Sequence, residues 1–320
     1  MAATMIPNPA LLGDFEPTAR LKTDARPAPP WREELRRIPN LRNALSVASV
    51  WAQTLGLMWF AVWADRWPIA RWFVWAIVFV LMGRAHAQFA ALMHEAAHRL
   101  LFRSKKWNDW VGRWLLGYPS FTPIDLYRRG HMAHHREEFG PDEPDIPLYR
   151  GYPIQRDSLR RKLVRDATGR TGWKLFKGLL RGVRAPGPGG QQARRIVAVQ
   201  LALIAISIAV GHPFVYWLLW FLPYLTVWRV INRLRSIAEH GGMHASKDRR
   251  ETTHTVRQHG LARFLLVPHH IGWHLAHHVD SGIPMTKLPQ FHAELVQAGY
   301  VTDALEYPSY PALWRRLSSA

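Results

Sequence analysis

The stretch HEAAH, residues 94–98, sets two histidines four apart with a glutamate after the first. On a helix, positions i and i+4 share a face, so His94 and His98 aim into one volume. The same five letters spell H-E-x-x-H, a zinc-protease pattern in which Glu95 would be the general base. Two further clusters bear on that reading. HMAHH supplies His131, His134 and His135, and HHIGWHLAHH, residues 269–278, contains His274, His277 and His278. The H-x-x-H-H spacing also projects its imidazoles from one side of a helix. Eight imidazoles exceed the four ligands that a tetrahedral zinc takes in all. They suit two first-row ions of higher coordination number, and imidazole serves iron, copper, nickel and zinc alike.

Composition limits the rest of the chemistry. The 320 residues include 17 His and no Cys, which excludes a disulfide framework, thiolate-bound metal and a cysteine nucleophile. A net charge of +19 asks for an anionic partner, either nucleic acid or a lipid surface. The placement of the charge decides between them. Four apolar stretches, about 44–63, 67–82, 196–210 and 213–231, are joined in pairs by the short turns ADR and GHP and flanked by tryptophan. The first needs only ~1.5 Å per residue to cross a ~30 Å hydrocarbon core. Residues 84–195 and 232–320 hold most of the Lys and Arg, whereas the two turns are nearly bare. By the positive-inside rule both termini and both long loops face the cytoplasm. Membrane lipid then accounts for the charge, and no nucleic acid is needed.

These observations predict an all-α integral membrane protein with four transmembrane helices in two hairpins. A cytosolic helical cap from 84–195 and 232–320 would carry a histidine-rich dimetal site. The two readings agree, because all three clusters fall on one side of the membrane. Residues 44–320 form a single domain in this reading. The polar, proline-rich residues 1–43 show no apolar signal core and are expected to be a loosely ordered cytosolic tail.

With HEAAH, HMAHH and HLAHH as three histidine boxes, the sequence resembles the membrane fatty acid desaturase and hydroxylase superfamily, in its desaturase branch. HRLLFRSKKWNDWVG, YRRGHMAHHR, RLRSIAEHGG and HHVDSGIPMTKLPQFHAEL extend the likeness over roughly residues 40–300. The resemblance implies a cytosolic all-histidine di-iron centre using O2, in which Glu95 is not a protease base. Carried over position by position, it implies that His94, His98, His131, His134, His135, His274, His277 and His278 bind iron. His240 in SIAEHGG is the ninth. The sequence departs from the family pattern at Ala276, where an acidic residue is common, and at His269 and His270, where asparagine is common.

Around the ligands, Glu95, His270, Glu239, Asp280 and His292 are candidates to orient or flank them. Asp125 and the acidic run 136–145 are further sources of carboxylates that could bond the free N–H of a ligating imidazole. His86, His244, His254 and His259 are expected to pack or meet solvent, and His212 falls in the outer turn. The implied reaction introduces a C=C bond into a fatty acyl chain of a lipid, with two electrons from a separate ferredoxin or cytochrome b5-like donor. A hydroxylase or ketolase would use the same centre. An HExxH intramembrane zinc protease would need only the first box and one more ligand. The membrane would be a bacterial inner membrane or an ER-type membrane.

Overall fold

The computed structural model describes residues 5–319 apart from Asp142. Seven helices position the histidines: α1 (Asn40–Ala64), α2 (Ala70–Ala97), α3 (Ile124–Arg136), α4 (Arg170–Gly182), α5 (Gly187–Ala209), α6 (Val227–His240) and α7 (His274–Val279). The described residues include four helical segments long and apolar enough to cross a membrane: Trp31–Ala64, Ala70–Ala97, Gly187–Ala209 and Pro213–His240. They form an all-α integral membrane fold. Its one described sheet is a parallel pair of two-residue strands, β1 (Thr255–Val256) and β2 (Glu306–Tyr307).

The segments differ from the spans read from the sequence, and the differences place the chemistry. α2 does not stop near residue 82 but continues unbroken to Ala97. At about 1.5 Å per residue its 28 residues run roughly 42 Å, about 12 Å more than a bilayer core needs. His94 lies in that surplus. α5 begins at Gly187, nine residues before the apolar run, because Pro188 sits in the first helical turn, where no N–H is required.

The last segment is broken rather than continuous. Pro223 offers no N–H, and the chain passes through a π-helical turn over Trp217–Phe221 and a kink at Thr226 (φ −117°, ψ −85°). Arg229 Nε donates to the carbonyl of Tyr224 at 3.0 Å, which satisfies a backbone group freed by the kink. Two glycines admit the close packing around it. A Cβ at Gly83 of α2 would lie 2.3 Å from Val227 Cγ1, and one at Gly172 of α4 would lie 2.3 Å from the Leu225 carbonyl.

The N-terminal segment is not a loose tail over its described part. Leu21, Ala25 and Leu35 are buried, and Trp31 packs edge-on against Phe291 at 6.1 Å. Arg32 Nε lies 3.0 Å from Asp280 and Arg36 also pairs with it, so the segment is fastened directly behind the third histidine cluster. A buried carboxylate without those two cations would carry an uncompensated charge.

Candidate metal centre

α2 brings His94 to its last turn, and His98 caps it. α3 is fastened to the same end: Arg128 donates from Nε to the Ala97 carbonyl and from Nη2 to that of Ala96, both at 2.9 Å. A cation is favoured there because helix C-terminal carbonyls lack partners. Asp109 holds Arg128 in turn at 2.6 Å. α3 thereby sets His131, His134 and His135 against the end of α2. The kinked fourth segment delivers His240 as the last residue of α6, and α7 adds His274, His277 and His278.

The nine side chains sort into two groups whose ligand atoms lie within 4.8 Å of one another. One contains His94, His98, His131, His135 and His277, and the other His134, His240, His274 and His278. The split follows helical spacing. On α3 the i,i+4 pair His131/His135 joins the first group and His134 the second, whereas on α7 the pair His274/His278 joins the second and His277 the first.

Within the five-histidine group, His131 Nε2 lies 2.8 Å from His94 Nε2, 2.9 Å from His98 Nε2 and 3.1 Å from His135 Nε2. His277 Nε2 is 3.0 Å from His135 Nε2. In the four-histidine group, His274 Nε2 is 3.0 Å from the Nε2 atoms of both His240 and His278. The opposite nitrogens fix the tautomers. His134 Nδ1 donates to Glu143, His278 Nδ1 to Glu138, and His240 Nδ1 to the Thr252 carbonyl at 2.8 Å. With Nδ1 protonated, the Nε2 atoms of His240 and His278 carry lone pairs, and both converge on a third nitrogen that can donate only one proton. Buried lone pairs facing one another are unsatisfied without a cation. Separations near 3 Å also suit nitrogens each about 2.0–2.1 Å from a common ion. The donor set fits metal binding.

For six of these rings protonation favours the same outcome. Burial, followed by repulsion from neighbouring imidazoles, holds His131, His135, His274, His277 and His278 well below the usual histidine range. His98 is lowered to about 3, chiefly by burial. His134 is raised instead: burial opposes its charge, but the Glu143 hydrogen bond and charge outweigh it. Neutral imidazole is the form that binds metal.

Of the remaining sequence candidates, Glu239 stands beside a ligand and the others lie apart from the two groups. Glu95 accepts from the Met285 N–H at 3.0 Å and belongs to neither group. Glu239 lies 3.6 Å from His274 Nδ1 and 2.8 Å from Arg235 Nε. Asp280 holds the N-terminal arginines and Asp125 pairs with Arg113 at 2.9 Å, so neither braces a histidine. His292 lies 3.7 Å from Glu306, and His270 Nε2 lies 3.4 Å from Arg42, both outside the groups. His269 and His270 adopt φ of 54° and 66°. That left-handed backbone is one that Asn and His enter more readily than most residues. His86 packs, with Nε2 3.0 Å from the Trp220 carbonyl. His254 is not at the surface: it is buried, and its Nε2 donates to the Gly241 carbonyl at 2.7 Å beside His240.

Glu138 and Glu143, within the acidic run, were not singled out by the sequence, although they hold His278 and His134. Asp142 of the same run lies outside the described residues. Their signal was their place, three and eight residues after His135, close enough to fold back onto the same helix.

A histidine-rich membrane protein of this build has known relatives. Residues 70–310 match the family described as fatty acid desaturase, and the chain belongs to it. It is 26% identical over 230 residues to the dihydrorhizobitoxine desaturase of Bradyrhizobium elkanii, covering 67% of this chain and 65% of that protein. Over 237 residues it is 24% identical to a sphingolipid delta(4)-desaturase DES1-like protein of Oryza sativa subsp. japonica, covering 70% and 64%. An sn-1 oleoyl-lipid 12-desaturase of Arthrospira platensis is 35% identical over 82 residues, 26% of this chain and 22% of that protein. The chain thus spans less than two thirds of the length of each of these relatives.

Proposed function

We propose that this protein is an oxygen-dependent lipid desaturase whose nine clustered histidines hold two irons, five on one and four on the other. The observation that carries the reading is the division of nine imidazoles into two convergent groups, in a chain of the desaturase family. When bound there, two irons would supply the oxidising chemistry that takes two hydrogens from adjacent carbons of an acyl chain. Two external electrons and two protons complete the balance, so that one O2 leaves as two waters.

The residues of the chain do the rest. The helix ends fix the imidazoles, and Glu138, Glu143 and the Thr252 carbonyl set their tautomers. Burial of the four-histidine group keeps bulk water from the reacting carbons. A cavity of about 710 Å³ beside both groups offers room for the substrate. The electrons would come from a separate ferredoxin or cytochrome b5-like protein, drawn to a cytosolic face that carries most of the chain's Lys and Arg. In this reading both termini and the metal centre face the cytoplasm.

The test is product analysis of membranes from cells expressing the full chain against cells expressing His277→Ala. A new unsaturated lipid that needs oxygen and His277 supports the proposal. Hydroxylated lipid alone assigns the same centre to the hydroxylase outcome. Release of peptide fragments from membrane proteins without either product turns the assignment to a protease.

A further inference from the structure

The cavity beside the histidines touches His94, His131, His134, His240 and His274, and its walls differ from end to end. At the metal end they are polar. The Tyr127 ring stacks on His131 at 5.1 Å, and the Tyr149 ring lies 5.2 Å from His240. Tyr149 is only 2% exposed, yet its hydroxyl has no hydrogen-bond partner among the described residues. Asp145 and Asn232 line the same wall, and neither side chain makes a hydrogen bond or ion pair among the described residues. Arg235 and Glu239 face each other at 2.8 Å and also line it. Arg229 also lines the cavity, but its Nε is turned to the Tyr224 carbonyl at 3.0 Å.

The far end is apolar and poor in side chains. Leu175 and Leu179 of α4 and Gly189 of α5 line it there, and Gly178 and Gly182 add no side chains to the seam between the helices. A Cβ at Gly178 would meet nothing within 4 Å. A plain hydrocarbon chain laid against the histidines would leave the Tyr149 hydroxyl, Asp145 and Asn232 unpaired, which a dry site penalises.

We propose that the substrate enters this cavity head first: a single-chain amphiphile with a compact head bearing both hydrogen-bond donors and acceptors. Its head lies among Tyr149, Asp145, Asn232 and the Arg235–Glu239 pair, and its chain leaves along the α4–α5 seam. The carbons beside the histidines are then those next to the head, not those in mid-chain. The inference rests on the desaturase reading and specifies its substrate class and regiochemistry. The reaction is unchanged: two adjacent C–H bonds break, a C=C bond forms, and O2 with two electrons from a ferredoxin-class donor and two protons gives two waters.

The experiment uses the full-length, iron-loaded protein in detergent with reduced ferredoxin, offered three probes of equal chain length. These are a long-chain N-acyl amino alcohol, a free fatty acid and a phosphatidylcholine. The expected result is a kcat/KM for the N-acyl amino alcohol at least about tenfold above the other two, since a site built to hydrogen-bond a head rejects substrates lacking it. Its double bond should lie within about six carbons of the head, as reacting carbons must come within contact distance of the centre. Asp145→Asn should raise KM for this probe more than it lowers kcat, at unchanged iron content. A mid-chain double bond, or equal turnover of phosphatidylcholine, overturns the inference and leaves desaturation standing. Absence of any His277-dependent unsaturated product from all three probes, and from native membranes, overturns the desaturase reading beneath it.

Discussion

The two histidine groups are drawn from shared helices, yet they are held differently. In the four-histidine group every ring is buried, and three Nδ1 atoms donate to fixed acceptors: Glu143, Glu138 and the Thr252 carbonyl. Arg249 pairs with Glu138 behind His278, which adds another layer of support. In the five-histidine group His98 and His135 are partly exposed, and the Nδ1 atoms of His94, His131 and His277 have no partner among the described residues. One group is preset by what stands behind its rings. The other relies on ligand number and on the helix ends that carry them. A carboxylate behind an imidazole fixes its orientation and raises its basicity, so the two groups should differ in rigidity and in grip on metal.

The largest effect expected is on ligands themselves. His134→Ala and His277→Ala, one from each group, should each abolish lipid desaturation measured by product analysis. Full turnover in both variants would dissolve the two-group description. A smaller loss should follow from changing the bracing acids. Glu143→Gln or Glu138→Gln should lower metal affinity or activity by about 10–100-fold while the protein stays folded. Either change makes the braced group resemble the unbraced one, and titration of iron back into the stripped protein measures it.

Kinetics of metal loss sharpen the same contrast. Under a dilute chelator the wild type should release its metal in two phases, the slower one belonging to the braced group. Glu143→Gln should merge the phases, and a single phase in the wild type would mean that bracing does not control release. The smallest effect is at the N-terminal clamp, away from both groups. Asp280→Asn removes the carboxylate charge that Arg32 and Arg36 share and should cost about 1–3 kcal/mol of stability by thermal unfolding.

Its pH dependence has a definite sign. Burial pushes the Asp280 carboxyl up, but the hydrogen bonds from Arg36 and Arg32 outweigh it and leave it below the usual aspartate range. The stabilisation is therefore fully present above the ordinary aspartate value and fades as pH falls through the lowered one. Melting temperatures of wild type and Asp280→Asn should converge in that acid window.

Much of this arrangement was legible in the residues. The helical spacing of the three boxes and the one-sided placement of the apolar runs led to a four-segment membrane fold with its histidines at one end. The split into five and four was not legible, because i, i+3 and i+4 share a face and spacing alone does not say which neighbour claims the middle residue. The reach of α2 past residue 82 was hidden because Ala and Gln around positions 85–91 are helix formers without being strongly apolar. The N-terminal clamp was hidden by composition: a proline-rich, charged segment reads as loose until Asp280, far along the chain, supplies its partner. Glu138 and Glu143 stood in a run where any acid could have turned to solvent.

The central claim is that the two groups hold two irons. Elemental analysis of the detergent-purified, anaerobically iron-loaded chain tests it most directly. The account predicts about two irons per chain, falling to about one in both His134→Ala and His277→Ala. About one zinc per chain, indifferent to iron loading and to both substitutions, would contradict it.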